Sequence, residues 1–571
     1  MTRTIMKTKL FFVFFLSIFT IQTISSENNP KWLEKAERAV FSIITYDNQD
    51  KILNNGNGFF ISSDGIALSD YTTFKGAKRA VVVMSDGKQY PITLIMGAND
   101  LYDVIKFRVG IAKSVNALSL AKMPGSVGSD VYLIPYSTQK SRSVTSGKVN
   151  AITKVESKYN YYTLSYNLDD KMISCPIANN EGEVIALAQK STSDKTISYG
   201  LDATFGSSLS IGLLGSNDAN LKAIGIKKDL PDEESQALVS LYMSSSMMSN
   251  EEYAELLNDF VSKFPNSADG YLKRAENEVR TDKDGSLIDA ADKDLASALK
   301  VTQHRDDALY NAARLIFQYL QTTHQTPYKE WTLDKALGYI REAISINPLP
   351  VYIQTEGDLL FAQKNYNDAL TSFQKVNKSN LVSAASYYST ALTMQMLKLD
   401  QKEIVAMMDS CINMCSKPIT RDASAYLLAR AQVYMDAGMF RPALLDYNTY
   451  YDAVNGNVND QFYFYREQAA NKAKQYQQAL DDIQAAIDHN PKEMLYRVEQ
   501  GAMNLRVGRV ETAVKQLQEA IKIDPKYAEV YRILGLCQIE QKKKEEACAN
   551  FAKAKELGDE NAQAMIDKYC K

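Results

Sequence analysis

The sequence predicts a two-domain protein, an all-β domain followed by an all-α array of helical repeats, and three observations lead to that prediction. Short alternating runs of β-branched and aromatic residues fill residues 31–205. From about Pro231 onward, apolar residues recur with the period of helices. A repeat of 34 residues is then present in the second half of the chain. The 571 residues are enough for roughly two to four domains of ordinary size.

The composition is that of a folded globular protein. Hydrophobic residues make up 45% of the chain and charged residues 23%, which excludes wholesale disorder, collagen and a disulfide knot. The net charge is −3, so no basic excess is available to neutralise a phosphate backbone, and we expect no nucleic-acid partner. The chain has three histidines, and all of them lie beyond residue 300: His304, His324 and His489.

Residues 1–26 have the pattern of a secretory signal peptide. Three basic residues precede the apolar run 10–19, and the small residues Thr23 and Ser25 follow it. The run is shorter than the roughly 20 residues that a membrane span needs, although an uncleaved anchor stays open as the alternative. We therefore predict an exported protein, periplasmic or extracellular, with no membrane span once the signal is removed.

The six cysteines give no metal-binding spacing. Cys411 and Cys415 are four residues apart on one face of a predicted helix, and no second Cys or His pair lies close enough in sequence to complete a zinc site. Export would permit disulfides, but we expect small buried apolar side chains in preference to a bridge or a metal site. We predict no metal and no cofactor. The cysteines are Cys175, Cys411, Cys415, Cys537, Cys548 and Cys570.

The repeat of the second half is marked by small residues at fixed spacing. Ala479, Ala513 and Ala547 are 34 residues apart, and so are Gly501 and Gly535. Small residues let two antiparallel helices approach closely, and a large apolar residue four positions after each alanine fills the groove between them. This helix-turn-helix period resembles the tetratricopeptide repeat, over residues 330–560 well and over 236–330 poorly.

Three segments of the β half resemble bacterial trypsin-like serine proteases of the high-temperature-requirement type. Residues 57–77 resemble the strand-turn-strand that leads to the catalytic His of that family. Residues 85–90 and 100–107 resemble the segment of the catalytic Asp, and residues 143–151 and 175–185 resemble the strands that flank the catalytic Ser. The resemblance implies a chymotrypsin-like pair of packed six-stranded β-barrels and leaves activity to be judged from the site residues.

Carried over residue by residue, the catalytic triad of the family is degenerate here. Thr72 stands in place of His, and Ile173 stands in place of the nucleophilic Ser, whereas Asp103 matches. Threonine cannot accept and return a proton near neutral pH. The family turn Gly-x-Ser-Gly-Gly-Pro reads Lys-Met-Ile-Ser-Cys-Pro over residues 171–176, so we expect the oxyanion-binding backbone to be lost with the glycines.

Ser174 lies one position from the nucleophile site, with Lys171 as a substitute base. A one-residue slip would reverse the face of the side chain, and a lysine base needs a dry, cation-rich pocket. The alternative that stays open is a trypsin-like serine endopeptidase with an altered active site. We predict instead an exported, non-enzymatic interaction scaffold with a signal peptide (1–26), a pseudoprotease domain (27–212), a linker (213–235) and a repeat domain (236–571).

The partner we expect is a protein or peptide held in the groove of the repeat array. The first helices of such repeats line a concave wall, and residues 206–571 carry a net charge of −8, which would favour basic segments. The alternative for the apolar candidates is packing between helices. Counted from the alanines, the residues predicted to face the groove are Phe464, Gln468, Asn471, Val498, Ala502, Leu505, Arg532, Leu536 and Ile539.

Overall fold

The computed structural model describes residues 30–138, 144–213, 215, 218–323 and 328–571. The predicted signal peptide, residues 1–26, lies outside the described residues. The chain divides into two compact units, one up to Arg274 and the other from Ala275 to Lys571.

The first barrel has six antiparallel strands in the order β1-β2-β3-β6-β5-β4. Phenylalanines fill it: the rings of Phe41 and Phe60 lie 4.6 Å apart, and those of Phe74 and Phe107 lie 5.1 Å apart. Alternating apolar residues point into a closed barrel, which is why the short β-branched and aromatic runs form these strands. The strands are β1 Val40–Tyr46, β2 Ile52–Phe60, β3 Ile66–Ser69, β4 Arg79–Val83, β5 Gln89–Asn99 and β6 Val104–Val109.

The second barrel repeats this plan with the order β10-β11-β12-β9-β8-β7. Its interior is aliphatic, with Val131, Leu164, Ile177 and Leu201 fully buried. The two closed six-stranded barrels confirm the predicted chymotrypsin-like fold of the first domain. The strands are β7 Asp130–Leu133, β8 Thr145–Val155, β9 Tyr159–Leu164, β10 Pro176–Ala178, β11 Val184–Lys190 and β12 Ser198–Asp202.

The described part of the predicted linker, 213–235, lies against the first barrel. The Ile95 N–H donates to Lys227 O at 2.8 Å, and the Asp229 N–H donates to Ile95 O at 2.8 Å. Ile224 and Ile226 are buried in the core of that barrel. The helices that belong to the first unit or begin in it are α1 Leu33–Glu37, α2 Ala203–Ser208, α3 Ala219–Lys222, α4 Glu234–Ser244, α5 Asn250–Lys263 and α6 Ala268–Thr281.

The second unit, over its described residues, is built from helices in antiparallel pairs and confirms the predicted repeat array. Its helices are α7 Ile288–Val301, α8 Arg305–Thr322, α9 Leu333–Ile346, α10 Pro350–Ala362, α11 Tyr366–Asn377, α12 Ala384–Met396, α13 Gln401–Met414, α14 Ala425–Asp436, α15 Phe440–Ala453, α16 Asp460–Lys472, α17 Tyr476–His489, α18 Met494–Arg506, α19 Val510–Ile523, α20 Ala528–Glu540, α21 Lys544–Glu556 and α22 Ala562–Tyr569.

The small residues of the repeat stand where two helices touch. Ala513 and Ala547 are fully buried near the starts of α19 and α21. A Cβ atom on Gly501 would lie 2.5 Å from Leu517, and one on Gly535 would lie 2.5 Å from Phe551. Both distances are too short for a real contact, so the close approach of the paired helices requires glycine there.

The expectation for the cysteines is wrong for two of the six. Cys548 on α21 and Cys570, just after α22, form a disulfide. Their helices pack against each other at the end of the array, which brings two residues separated by 22 positions together. Cys175, Cys411 and Cys537 are buried as expected, and Cys415 is half-buried.

In the described part of the chain, no helix is both long and apolar enough to cross a bilayer. Over the same residues, no group of three or more His, Cys, Asp or Glu side chains is arranged to hold a metal ion.

Candidate functional site

The candidate site is the cleft between the two barrels, formed by residues 57, 69–73, 103 and 171–175, and we call it the interbarrel cleft. Asn57, on β2, reaches from the first barrel to the turn before β10. Its side-chain amide donates to Lys171 O at 3.0 Å and to Ile173 O at 2.9 Å. The turn in place of the protease nucleophile is therefore tied to the first barrel by one buried amide.

Strand register brings Thr72 and Asp103 together. Ser69 at the end of β3 pairs with Ile105 near the start of β6, so the residues after β3 and before β6 share one end of the barrel. The Thr72 N–H donates to Asp103 Oδ1 at 2.7 Å. Burial, and next the neighbouring Asp70, raise the pKa of the Asp103 carboxyl. Asp103 thus holds the backbone of residue 72, and no imidazole is present there to be oriented.

Ser174 is fully buried, and its hydroxyl is already engaged. Its Oγ donates to Asp70 Oδ1 at 2.6 Å, and the other oxygen of that carboxylate accepts from the Thr73 N–H at 2.8 Å. Ser174 also has φ of +65°, a left-handed conformation that fits the place of a family glycine. The hydroxyl joins the two barrels and is not exposed to a substrate.

Lys171, the candidate substitute base, lies in the turn before β10. Its side chain is exposed at the surface of the short 3₁₀ turn Asp170–Met172. A lysine base has to be desolvated or placed beside other cations, and the exposed Lys171 side chain is not desolvated.

The turn has little capacity left to stabilise an oxyanion. The Lys171 N–H donates to Asp169 Oδ1 at 3.2 Å and the Met172 N–H to Asp169 O at 2.9 Å. The Ser174 N–H donates to Ala188 O at 2.9 Å, and the Cys175 N–H donates to Met172 O at 3.2 Å. Four of the five N–H groups over 171–175 are thus engaged within the protein, whereas an oxyanion hole needs converging free donors.

Sequence reasoning missed Asn57 and Asp70, which hold this cleft together. Both side chains are buried, with 8% and 6% of their surface exposed. The signal that could have found them is a polar residue at or beside a strand that otherwise turns apolar side chains inward. Their partners, more than 100 positions away, could not be identified from that signal.

The predicted groove residues on α16 are engaged with the protein itself. Phe464 is half-buried, with its ring 5.2 Å from that of Tyr496. The Gln468 amide donates to Glu467 Oε2 at 2.6 Å. Asn471 is 6% exposed and accepts a hydrogen bond from Arg506 at 3.1 Å. All three side chains thus have partners within the protein itself.

The groove candidates on α18 and α20 are all buried or half-buried. Val498 is 2% exposed and belongs to the core, and Leu505 is half-buried against the same cluster. Arg532 Nε lies 2.9 Å from Asp559 Oδ2, and its guanidinium also bonds Glu529. The remaining candidates, Ala502, Leu536 and Ile539, are half-buried.

A cavity of about 660 Å³ opens between α14, α15 and α16. Aromatic rings of Tyr447, Tyr450, Phe462 and Tyr465 line it, together with amide side chains such as that of Gln432. None of its lining residues is charged at neutral pH, so the cavity suits an uncharged, partly apolar group.

Two segments of the chain match known families. Residues 56–187 match the trypsin-like peptidase domain, and residues 506–542 match the TPR repeat. The N-terminal half of the chain therefore contains a trypsin-like peptidase domain, and the C-terminal region carries tetratricopeptide repeats.

Two curated relatives share short stretches with this chain. The DnaJ homolog subfamily C member 7 homolog of Dictyostelium discoideum is 30% identical over 97 residues, 16% of this chain and 18% of that protein. The small glutamine-rich tetratricopeptide repeat-containing protein 2 of Saccharomyces cerevisiae is 33% identical over 97 residues, 17% of this chain and 28% of that protein. This chain thus matches less than a third of either relative.

Among solved structures, the serine endoprotease from Yersinia pestis is similar over 32% of this chain and 65% of that chain, with 17% identity and a TM-score of 0.28.

Proposed function

We propose that this protein is an exported, non-enzymatic scaffold in which a trypsin-like domain without catalytic machinery accompanies a repeat array that binds polypeptide. The observation that carries the proposal is the state of the interbarrel cleft. Its serine hydroxyl is fully buried on a carboxylate, and the first unit has no histidine in its sequence.

The chemistry of the cleft supports the loss of hydrolysis. Acyl transfer by this fold needs an exposed nucleophile, an imidazole that takes its proton, and free oxyanion donors. By the sequence resemblance, Ile173 replaces the nucleophile and the exposed Thr72 replaces the imidazole. Four of the five N–H groups of the turn 171–175 are already hydrogen-bonded within the protein. Removing single members of a catalytic triad already costs several orders of magnitude in kcat, and the losses act together.

The repeat half supports the binding role. Tetratricopeptide repeats generally mediate protein–protein interaction, and their stacked first helices form a concave surface. The array has an aromatic cavity of about 660 Å³ between α14, α15 and α16, and such a cavity can receive side chains of a bound polypeptide.

The enzymatic side of the proposal is tested with the chain from residue 27 to 571. We expect no casein cleavage by this protein and no labelling of Ser174 by a fluorophosphonate probe. The Ser174→Ala variant, purified in parallel, should give the same background. Cleavage that is present in the wild type and lost in Ser174→Ala would replace this proposal with a serine endopeptidase of altered active site.

The binding side is tested by selecting peptides from a random display library on the same chain. Phe464→Ala removes a half-buried groove ring, and Leu445→Ala removes an apolar side chain that is 66% exposed on α15. We expect the selected peptides to bind the wild type and Leu445→Ala and to bind Phe464→Ala several-fold more weakly. A selection that enriches nothing over an unrelated immobilised protein would count against the scaffold role.

Export is a separate proposal that rests on the N-terminal pattern. Expression of the full chain with a C-terminal tag should yield a product that begins near residue 27 and lies outside the cytoplasm. A product that retains residues 1–26 in the cytoplasm would contradict it.

A further inference from the structure

A second cavity in the helical unit combines four aromatic rings with one carboxylate. It has a volume of about 470 Å³ and lies among α8, α10, α11 and α12. Its rings belong to Phe317, Phe361, Tyr366 and Phe373, and its carboxylate belongs to Asp358. The Phe361 and Tyr366 rings meet edge to face at 5.2 Å, so two of the walls hold each other in place.

The backbone of α10 sets this arrangement. Gly357 lets the ring of Phe373 approach the helix, because a Cβ atom there would lie 2.5 Å from the ring. Asp358 follows directly and turns its side chain into the cavity. The carboxylate is thereby placed beside aromatic surface, in a position where water is partly excluded.

The Asp358 carboxylate is partly excluded from water and has few hydrogen-bond partners among the described residues. Its one hydrogen bond within the described residues comes from the Gln354 amide at 3.1 Å, and the amide oxygen of that same Gln354 is buried without a partner there. Lys364 also lines the cavity, yet among the described residues no ion pair joins any cation to Asp358. Burial raises the pKa of this carboxyl to about 6, which leaves it ionised at neutral pH.

A cation paired with Asp358 is what this cavity lacks among the described residues, since Lys364 lines the cavity without forming an ion pair there. A partly desolvated carboxylate attracts a positive charge strongly, and the faces of aromatic rings attract cations as well. The uncharged cavity between α14 and α16, which has equally many rings, offers no such charge. The helical unit as a whole also attracts positively charged ligands, since residues 275–571 carry a net charge of −4.

We propose that the cavity at Asp358 receives the side chain of a lysine or arginine from a polypeptide lying in the repeat groove. The inference rests on the proposed scaffold function and gives it a specificity: bound segments carry a basic residue at this position. The ammonium or guanidinium group pairs with the Asp358 carboxylate, and the methylene stem of the side chain contacts the rings.

The test compares three peptides on the chain from residue 27 to 571 by saturation-transfer NMR titration. The probe is acetyl-Gly-Ser-Ala-Lys-Ala-Ser-Gly-amide, and its twins carry norleucine or glutamate in place of lysine. We expect the lysine peptide to bind about tenfold more tightly than the norleucine twin at pH 7.5. Its affinity should rise between pH 5 and pH 7, because the carboxylate has to be ionised.

Asp358→Asn should abolish the preference for lysine and its pH dependence, while keeping an acceptor for Gln354. The matched control is Asp481→Asn, which makes the same change at an exposed carboxylate that also accepts from a glutamine four residues earlier, at 2.9 Å. Asp481→Asn should bind as the wild type does. Phe361→Leu removes a ring without touching the charge, and it should weaken lysine binding in a variant that keeps the carboxylate.

Each other outcome overturns the inference in a distinguishable way. Equal binding of the lysine and norleucine peptides, or an undiminished preference for lysine in Asp358→Asn, means that the cavity does not select for positive charge. If display-selected peptides still depend on Phe464 in that case, the scaffold proposal stands. Binding of N-acetyl-lysine methylamide as tight as that of the peptide means that the cavity takes free cations and overturns the polypeptide ligand. Absence of binding by any peptide, selected or designed, removes both proposals.

Discussion

Glu467 makes the stability of the repeat array depend on pH. This residue of α16 stands where the next two repeats have Gly501 and Gly535, at the same spacing of 34 residues. Its side chain is fully buried, and its Oε1 has no hydrogen-bond partner among the described residues. Burial first, and then the charge of Glu499, raise its pKa to about 8.

The raised pKa of Glu467 predicts the direction in which the free energy of unfolding changes with pH. The folded protein keeps the Glu467 proton at pH values where the unfolded chain, with a pKa of about 4.3, has released it. Unfolding therefore releases a proton, and stability falls as pH rises between the two values. With a folded pKa of about 8, this one group lowers the free energy of unfolding by about 3–4 kcal/mol between pH 5 and pH 8.

The variant Glu467→Gln removes the titration and keeps the shape of the side chain. Urea unfolding followed by circular dichroism at 222 nm reports mainly on the helical unit. We expect the advantage of Glu467→Gln over the wild type to grow by about 3–4 kcal/mol from pH 5 to pH 8.

The matched control for this measurement is Glu519→Gln. Glu519 is an exposed glutamate of α19 whose pKa is lowered by its hydrogen bond with Lys522. The stability advantage of Glu519→Gln over the wild type should not grow from pH 5 to pH 8, because the Glu519 side chain is hydrated in the folded and in the unfolded state. Parallel stability curves for the wild type and Glu467→Gln from pH 5 to pH 8 would refute the reasoning.

Four further predictions concern stability. Gly535→Ala should destabilise the array by about 1–2 kcal/mol, since the added Cβ overlaps a phenyl ring of the next helix. Gly338→Ala, at a helical glycine with open space around it, should stabilise it by up to about 1 kcal/mol, and calorimetric melting of both variants checks the pair. Ser174→Ala should lower the stability of the barrel unit by about 1–3 kcal/mol in urea titrations, because a buried carboxylate loses a donor; an unchanged transition would mean that the serine is not part of the barrel contact. Reduction of Cys548–Cys570, or the double Ser variant, should cost about 3 kcal/mol for a bridge across 22 positions, and equal melting with and without reductant would contradict that.

The cleft shows where prediction from sequence stops. Thr72 and Ile173 could be placed by resemblance, and the absence of histidine from the first 300 residues is visible in the sequence itself. The partner of Ser174 could not be found that way. The Ser174–Asp70 hydrogen bond joins residues 104 positions apart, and it exists only because two separately closed barrels meet at that point.

The groove shows the same limit at shorter range. Counting from the alanines placed Val498 on the concave side, but its 2% exposure is set by how closely neighbouring repeats stack. The Cys548–Cys570 bridge likewise depends on α22 folding back on α21. None of these distances follows from spacing along the chain.

The sequence by itself determined the two architectures, since strand alternation and the helical repeat are local patterns that each segment carries in its own side chains. It also determined that the β half has no imidazole. Tertiary structure alone decided which polar groups are buried together, as with Asn57 on the turn at Ile173. It also decided which carboxylates are partly or fully buried with few partners among the described residues, as with Asp358 and Glu467. The physical reason is that burial and pairing depend on the packing of distant segments, and this packing sets the charge state of a carboxylate more than its place in the sequence does.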